Sequence, residues 1–266
     1  MKKFIKKILY FSIATITLVS IILLFNFLIV GNQYTHSYQA SITDKLDRLH
    51  TINSPKIVLI GNSNLAFGIN SNMIEKNLQI PVVNLGLHGG LGDIFHANMI
   101  KGHVSKGDII IYAPTNFDNT STRIDSELAW ATIEKNLYLW KLIPQDNYET
   151  MAYGIRPYIY KTTINFLFNL DKPITKDIYS RSSFNKYGDV YTERKNKYTM
   201  EPSDILSPSI SQETILRINE LNKYIKNSGG TLLIAANPII TSTKYPQSKP
   251  KYLKFQQELI NHLDCP

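Results

Sequence analysis

The chain has one cysteine, Cys265, among 266 residues. That excludes an internal disulfide framework and any metal site built from several thiolates. Charge is missing from one stretch: no Asp, Glu, Lys or Arg occurs between Ile8 and Val30. As a helix this run spans roughly 34 Å, enough for a hydrocarbon core of about 30 Å. A secretory signal is the competing reading. Its apolar core is shorter and ends in a small-x-small cleavage site, which "NFLIVGNQYTHSYQA" lacks. Lys2, Lys3, Lys6 and Lys7 precede the run, and no charged residue follows it until Asp44. The expectation is an uncleaved single-pass anchor in the cell membrane, N-terminus cytoplasmic and the remainder extracytoplasmic.

A basic surface is also lacking, despite the formal net charge of +8. Of the 29 Lys and Arg, four are the N-terminal lysines, and the other 25 face 21 acids. No basic helix or aromatic-interleaved basic stripe remains, so nucleic acid is not an expected partner. No pair of histidines has helix-face spacing with a third ligand nearby, and no oxygen-rich loop occurs, so neither metal nor cofactor is expected. What is present is a chain 43% hydrophobic, sufficient for a substantial core.

Residues 1–31 read as cytoplasmic stub and anchor, and 32–54 as a polar stalk or first amphipathic helix. Residues 55–266 read as one α/β domain. "KIVLI" (Lys56 to Ile60) is a continuous β-branched run of the kind a strand buried on both faces shows. Ile69, Met73, Ile74 and Leu78 follow at helical spacing. Ile80 to Leu87 and Gly107 to Pro114 read as further strands, with a helix over Gly92 to Val104 between them. Ser209 with Gln212 resembles a capping box before Ile215, Ile218, Leu221 and Ile225; "NSGG" stops that helix, and Thr231 to Pro238 reads as the fourth strand. This alternation predicts a parallel sheet sandwiched by helices.

Between the third and fourth strands lies an insertion, about Phe117 to Pro208, too long for a simple crossover. It holds two predicted helices, "SELAWATIEKNLYLWKLI" and "ETMAYGIRPYIYKTTINFLFNL", and a polar aromatic loop, and it reads as a subdomain or lid. Its tyrosines suit either stacking on sugar faces or packing on the sheet edge.

Ligands of open α/β sheets bind outside the carboxyl ends of the strands, and the first three strands end in "GNSN", "NLGLHGG" and "APTNF". Ser63 begins a helix after the first strand: it is either a nucleophile presented on a turn or a turn residue, since such turns favour Ser and Asn. Gly61, Gly86, Gly89 and Gly90 allow close backbone approach.

"GNSN" after a strand, the glycine block "NLGLHGG" and an asparagine after the third strand resemble the first three blocks of the SGNH (GDSL-like) esterase and acyltransferase superfamily. The pattern is also similar to membrane-anchored members associated with O-acylation or deacylation of cell-surface polymers. The resemblance covers roughly Lys56 to Asn116 plus the fourth strand. It implies a flavodoxin-like fold, Ser63 as nucleophile, and an oxyanion hole formed by the Ser63 amide, Gly86 and Asn116.

Three departures stand beside it. The first block commonly reads Gly-Asp-Ser, and here the middle residue is Asn62; the third commonly reads Gly-x-Asn-Asp, and here it is "PTNF". The superfamily takes its base from an Asp-x-x-His block after the last strand, and no such block follows the fourth strand here. The final helical pattern, with Leu253, Leu259, Ile260 and Leu263, ends in "NHLDCP" where another strand is due, so the expectation is a domain incomplete at its C-terminus. His88 is the best substitute base and His96 the next, with Asp93 able to orient either; His36, His50, His103 and His262 are weaker.

Two functions follow as expectations. One is a membrane-anchored serine esterase or O-acyltransferase acting on an acylated surface glycan or envelope polymer. The other is a non-catalytic glycan-binding or scaffold protein of the cell envelope with a degenerate SGNH fold.

Overall fold

A computed structural model of the protein describes residues 1–30, 33–53, 55–117, 123–134, 136–168, 179–190, 209–236, 246 and 248–265. The uncharged run forms α1 (Lys2–Phe25), which buries no residue, and continues into one π-helical turn, Asn26–Val30. Together they make a 29-residue helix of mean hydropathy 2.7, long and apolar enough to cross a membrane.

Residues 42–51, read above as stalk or amphipathic helix, form α2 (Ile42–Thr51), which folds onto the domain. Ile42, Leu46 and Leu49 share one hydrophobic cluster with the sheet. Lys45, also on that buried face, is fully enclosed: its Nζ donates to the carbonyls of Asn84 at 2.9 Å and Gly188 at 2.5 Å and lies 4.4 Å over the Phe184 ring. Burial lowers its pKa to about 7, against the opposing pull of Asp189 and Asp44.

β1 (Ile57–Gly61) leads into α3 (Ser63–Gly68) and α4 (Ser71–Leu78); β2 (Val82–Asn84), α5 (Asp93–Asn98) and β3 (Ile109–Ala113) follow. The 123–168 part of the insertion contributes α6 (Ser126–Ile133) and α7 (Tyr148–Phe168), and α8 (Gln212–Asn227), β4 (Thr231–Ile234) and α9 (Ser248–His262) complete the domain. The four strands form one parallel sheet in the order β2-β1-β3-β4. All five residues of β1 are buried, as its unbroken apolar run predicts. Val58, Ile60, Ile110, Tyr112 and Leu232 enter the larger core with α2, α5 and α8. Ile57, Leu59 and Val82 face the other way, where Leu65 of α3 and Ile74 of α4 cover them.

Several elements are shorter than the periodicity predicts. β2 ends at Asn84, whose amide donates to the Tyr187 carbonyl on the open edge, although Leu85 and Leu87 still donate to the β1 carbonyls of Leu59 and Gly61. α5 stops at Asn98, well before Val104. The first insertion helix breaks after Ile133 and resumes as a 3₁₀ turn, Leu137–Leu142. Its break coincides with Glu134, whose carboxylate accepts the Gln33 and Tyr34 amides and the Tyr158 hydroxyl. α7 runs unbroken despite Pro157 in its interior. α8 is capped by Ser211, whose hydroxyl accepts the Thr214 amide, and not by Ser209. The loop beyond residue 190 and the expected strand end at Pro238 lie outside the described residues.

At the amino ends of β1 and β3, Lys56 and Asp108 form a buried ion pair, Nζ to Oδ2 2.9 Å. The same carboxylate accepts the amides of Lys56 and Ser105. Removing one member leaves a buried charge uncompensated. Lys56→Ala is expected to destabilise the fold by about 3–5 kcal/mol, whereas Lys161→Ala, which breaks an exposed pair with Glu127, costs less than about 1 kcal/mol; urea unfolding in detergent measures both.

Candidate functional site

The site is built on one close approach. Gly61 ends β1 with φ +144°, and a Cβ there would stand 2.1 Å from the Ala113 carbonyl oxygen, so the β1 end lies hard against β3. Asn62 follows in extended conformation and caps α3, its Oδ1 accepting the Asn64 amide at 2.8 Å. An aspartate would cap equally well; the neutral amide keeps the cap without the charge. Ser63 is therefore the first helical residue after an internal strand. It is half-buried, and its hydroxyl has no hydrogen-bond partner among the described residues.

The second and third strand ends converge on it. A Cβ on Gly89 would lie 3.5 Å from Asn62 Cβ and 3.0 Å from Thr115 Cγ2. Thr115 is a residue that sequence reasoning passed over. Its hydroxyl is buried without a partner, and the signal was its place beside Asn116 in "PTNF". Asn116 is exposed on the same loop.

Gly86 sits differently from its expected role. It packs on α3, where a Cβ would meet the Ala66 nitrogen and Leu65 Cβ at 2.8 Å, and its amide donates to Asn84 Oδ1 at 2.9 Å. The amide that the resemblance assigns to an oxyanion is thus occupied by a side chain in this structure.

The candidate bases separate. His88 is exposed, and its Nδ1 accepts the Gly90 amide at 3.0 Å. That bond puts the imidazole proton on Nε2, so the outer nitrogen is a donor as it stands. Asp93, expected to orient a histidine, instead accepts the Thr115 amide at 2.9 Å and so joins α5 to the β3 loop. Asp125 is the acid flanking His88 across Gly90, with its carboxylate capping α6. His96 is fully buried with neither ring nitrogen hydrogen-bonded, edge-on to Phe95. Burial pushes its pKa down to about 3; the nearby His88 carbonyl opposes this and the His88 ring adds to it.

The spacing Asp-x-x-His does occur at Asp93–His96 and at Asp47–His50, both before the fourth strand. The second is on α2, where His50 and His103 approach with Nε2 atoms 3.3 Å apart. Burial lowers the pKa of His103, and His50, Lys141 and Lys56 lower it further. His262 stays within α9, its Nδ1 against the Glu258 carbonyl. Among the described residues no group of three or more His, Cys, Asp or Glu is arranged to hold a metal ion.

A cavity of about 420 Å³ opens between α5 and α8, lined by Asp93, Asn98, Tyr112, Arg217 and Tyr224 among others. None of Ser63, Gly86, His88 and Asn116 lines it. No protein-family model matches the chain, and comparison with curated proteins and with solved structures gives no match either.

His96 gives the site region a defined acid response. An exposed imidazole in the unfolded chain protonates below about pH 6.5, whereas in the fold His96 stays neutral down to about 3. Its contribution to stability is complete above the unfolded value and is lost as pH falls through this window. His96→Phe is expected to remove a slope of about one decade in the unfolding constant per pH unit between pH 6 and 4, read from urea midpoints across that range.

Proposed function

We propose that the protein is a membrane-anchored serine esterase or O-acyltransferase of SGNH type, its domain extracytoplasmic and its substrate an acyl ester of a surface glycan or envelope polymer. The observation that carries this reading is the Ser63 hydroxyl, half-buried and unpartnered among the described residues at the first turn after an internal strand. The four-stranded parallel sheet and the meeting of three strand-end loops suit it. α1, with four lysines at its N-terminal, cytoplasmic end, is the anchor.

In the proposed reaction the Ser63 oxygen forms a bond to the acyl carbonyl carbon while its proton passes to a base. The oxyanion accepts hydrogen bonds from the Ser63 amide and from Asn116. The tetrahedral intermediate then releases its alcohol oxygen, which takes up the proton, and a water or sugar hydroxyl later accepts the acyl group from Ser63. His88 serves as base only once its Nδ1 carries the proton and Nε2 is unprotonated, which requires giving up the Gly90 bond. Gly86 joins the oxyanion hole only once its amide leaves Asn84.

The second reading, a glycan-binding or scaffold protein with a degenerate site, is favoured by those same two facts: the Gly86 amide is taken and the His88 outer nitrogen is a donor. The two separate on Ser63. If the protein is an enzyme, it labels with a fluorophosphonate and hydrolyses 4-nitrophenyl acetate, and Ser63→Ala lowers turnover by at least about 10³-fold while the fold is retained. Absence of labelling, or turnover indifferent to Ser63→Ala, moves the binding reading ahead.

A further inference from the structure

α7 has two apolar faces and only one of them is covered. Met151, Gly154, Tyr158 and Thr162 are buried against the domain. On the opposite side Tyr153, Tyr160, Ile164, Leu167 and Phe168 are exposed by 69, 71, 38, 56 and 74%. At 3.6 residues per turn these five fall on one stripe about 100° wide. Arg156 and Lys161 border it, both exposed. Lone exposed apolar residues are ordinary; a continuous stripe of them on one helix marks a contact.

The position of the stripe identifies its occupant. α7 is joined to the end of the apolar N-terminal helix: Asn26, 1% exposed, donates from Nδ2 to the Thr162 and Thr163 hydroxyls at 3.1 Å each. Phe27 stacks on Tyr158 and tilts against Trp130. Leu28 and Ile29, in the same π-helical turn, remain exposed by 76 and 57%. Tyr160, Ile164, Leu167 and Phe168 lie within about two helical turns of the Asn26 contact, each turn rising 5.4 Å. The stripe thus spans the same turns of α7 that hold the end of the N-terminal helix, on the face turned away from that contact. Aromatic residues with basic neighbours are the composition of helices seated about 5–10 Å into a headgroup region.

We propose that the outer face of α7, from Tyr160 to Phe168, lies in the interfacial layer of the bilayer as a second membrane contact of the domain. This rests on the reading of α1 as a membrane anchor. The occupant is lipid and not a protein, because α7 is fastened to the end of the helix that enters the bilayer, which holds its exposed aromatic stripe within a few turns of the membrane surface.

Nitroxide labels on single cysteines test it, in the full chain carrying Cys265→Ser and reconstituted in phosphatidylcholine–phosphatidylglycerol bilayers. Labels go to Tyr160→Cys, Ile164→Cys and Leu167→Cys, with Ile16→Cys in α1 and Met73→Cys on the exposed side of α4 as references. The ratio of collisions with oxygen to collisions with a water-soluble nickel chelate is expected to be at least about threefold higher at the three α7 positions than at Met73. A ratio at these positions equal to that at Met73, with Ile16 lipid-exposed, overturns the α7 contact alone. A water-exposed Ile16 overturns the anchor reading itself. Exclusion of both reagents from α7 means that protein covers the stripe, which also overturns the inference.

Discussion

The carboxamide of Asn84 holds together the edge of the sheet that carries the candidate site. Its Oδ1 accepts the Gly86 amide, and its Nδ2 donates to the Leu65 carbonyl in α3 and to Asp189 Oδ1. Asp189 in turn accepts the Ser71 hydroxyl at 2.6 Å and the Ser71 amide at 2.8 Å, at the start of α4. One buried side chain thus links the end of β2, the helix that carries Ser63, the next helix and the 185–189 loop. Each polar atom in it is satisfied, which is the condition under which a buried polar cluster fixes a single arrangement. Buried Lys45 extends it, joining the Asn84 and Gly188 carbonyls to α2.

This arrangement is why the fold was more legible in the sequence than the site. β1 and β3 declare themselves because burial on both faces demands an uninterrupted apolar run, and their observed bounds differ from the expected ones by one or two residues. The turn at Ser63 was legible for the same reason: it follows directly from where β1 must stop. The partner of the Gly86 amide was not legible. An asparagine two residues before a glycine carries no signal of where its carboxamide turns, and Asp189 is 105 residues away in the chain. The separation of Asp93 from His96 was equally hidden, since helical spacing gives the face of a residue and not what covers it.

The segment after α1 was open to two readings, a polar stalk or a first amphipathic helix, and it carries the helix α2; Ser37, Tyr38, Ser41 and Ile42 are buried, and Tyr38 stacks on Phe67. Polar residues here are consumed by local capping: Ser41 Oγ donates to the Tyr38 carbonyl, and Ser37 bridges to Ser180. Hydrophilic composition therefore marked a closely tied segment and not a loose one. The insertion likewise divides by packing, with α6 and α7 on the core and aromatic rings of Phe27, Trp130, Trp140 and Tyr158 in mutual contact.

Glu134 receives three donors from the two chain segments that flank it, Gln33 and Tyr34 on one side and Tyr158 on the other. With Asn26 it fastens the N-terminal helix to the domain at both ends of a short connection. A tethered domain on a slack linker sweeps out a volume and meets targets at many heights and angles. Fastened in this way, the domain has no such freedom about the end of α1: the bearing of the strand-end edge that carries Ser63 follows the bearing of the helix.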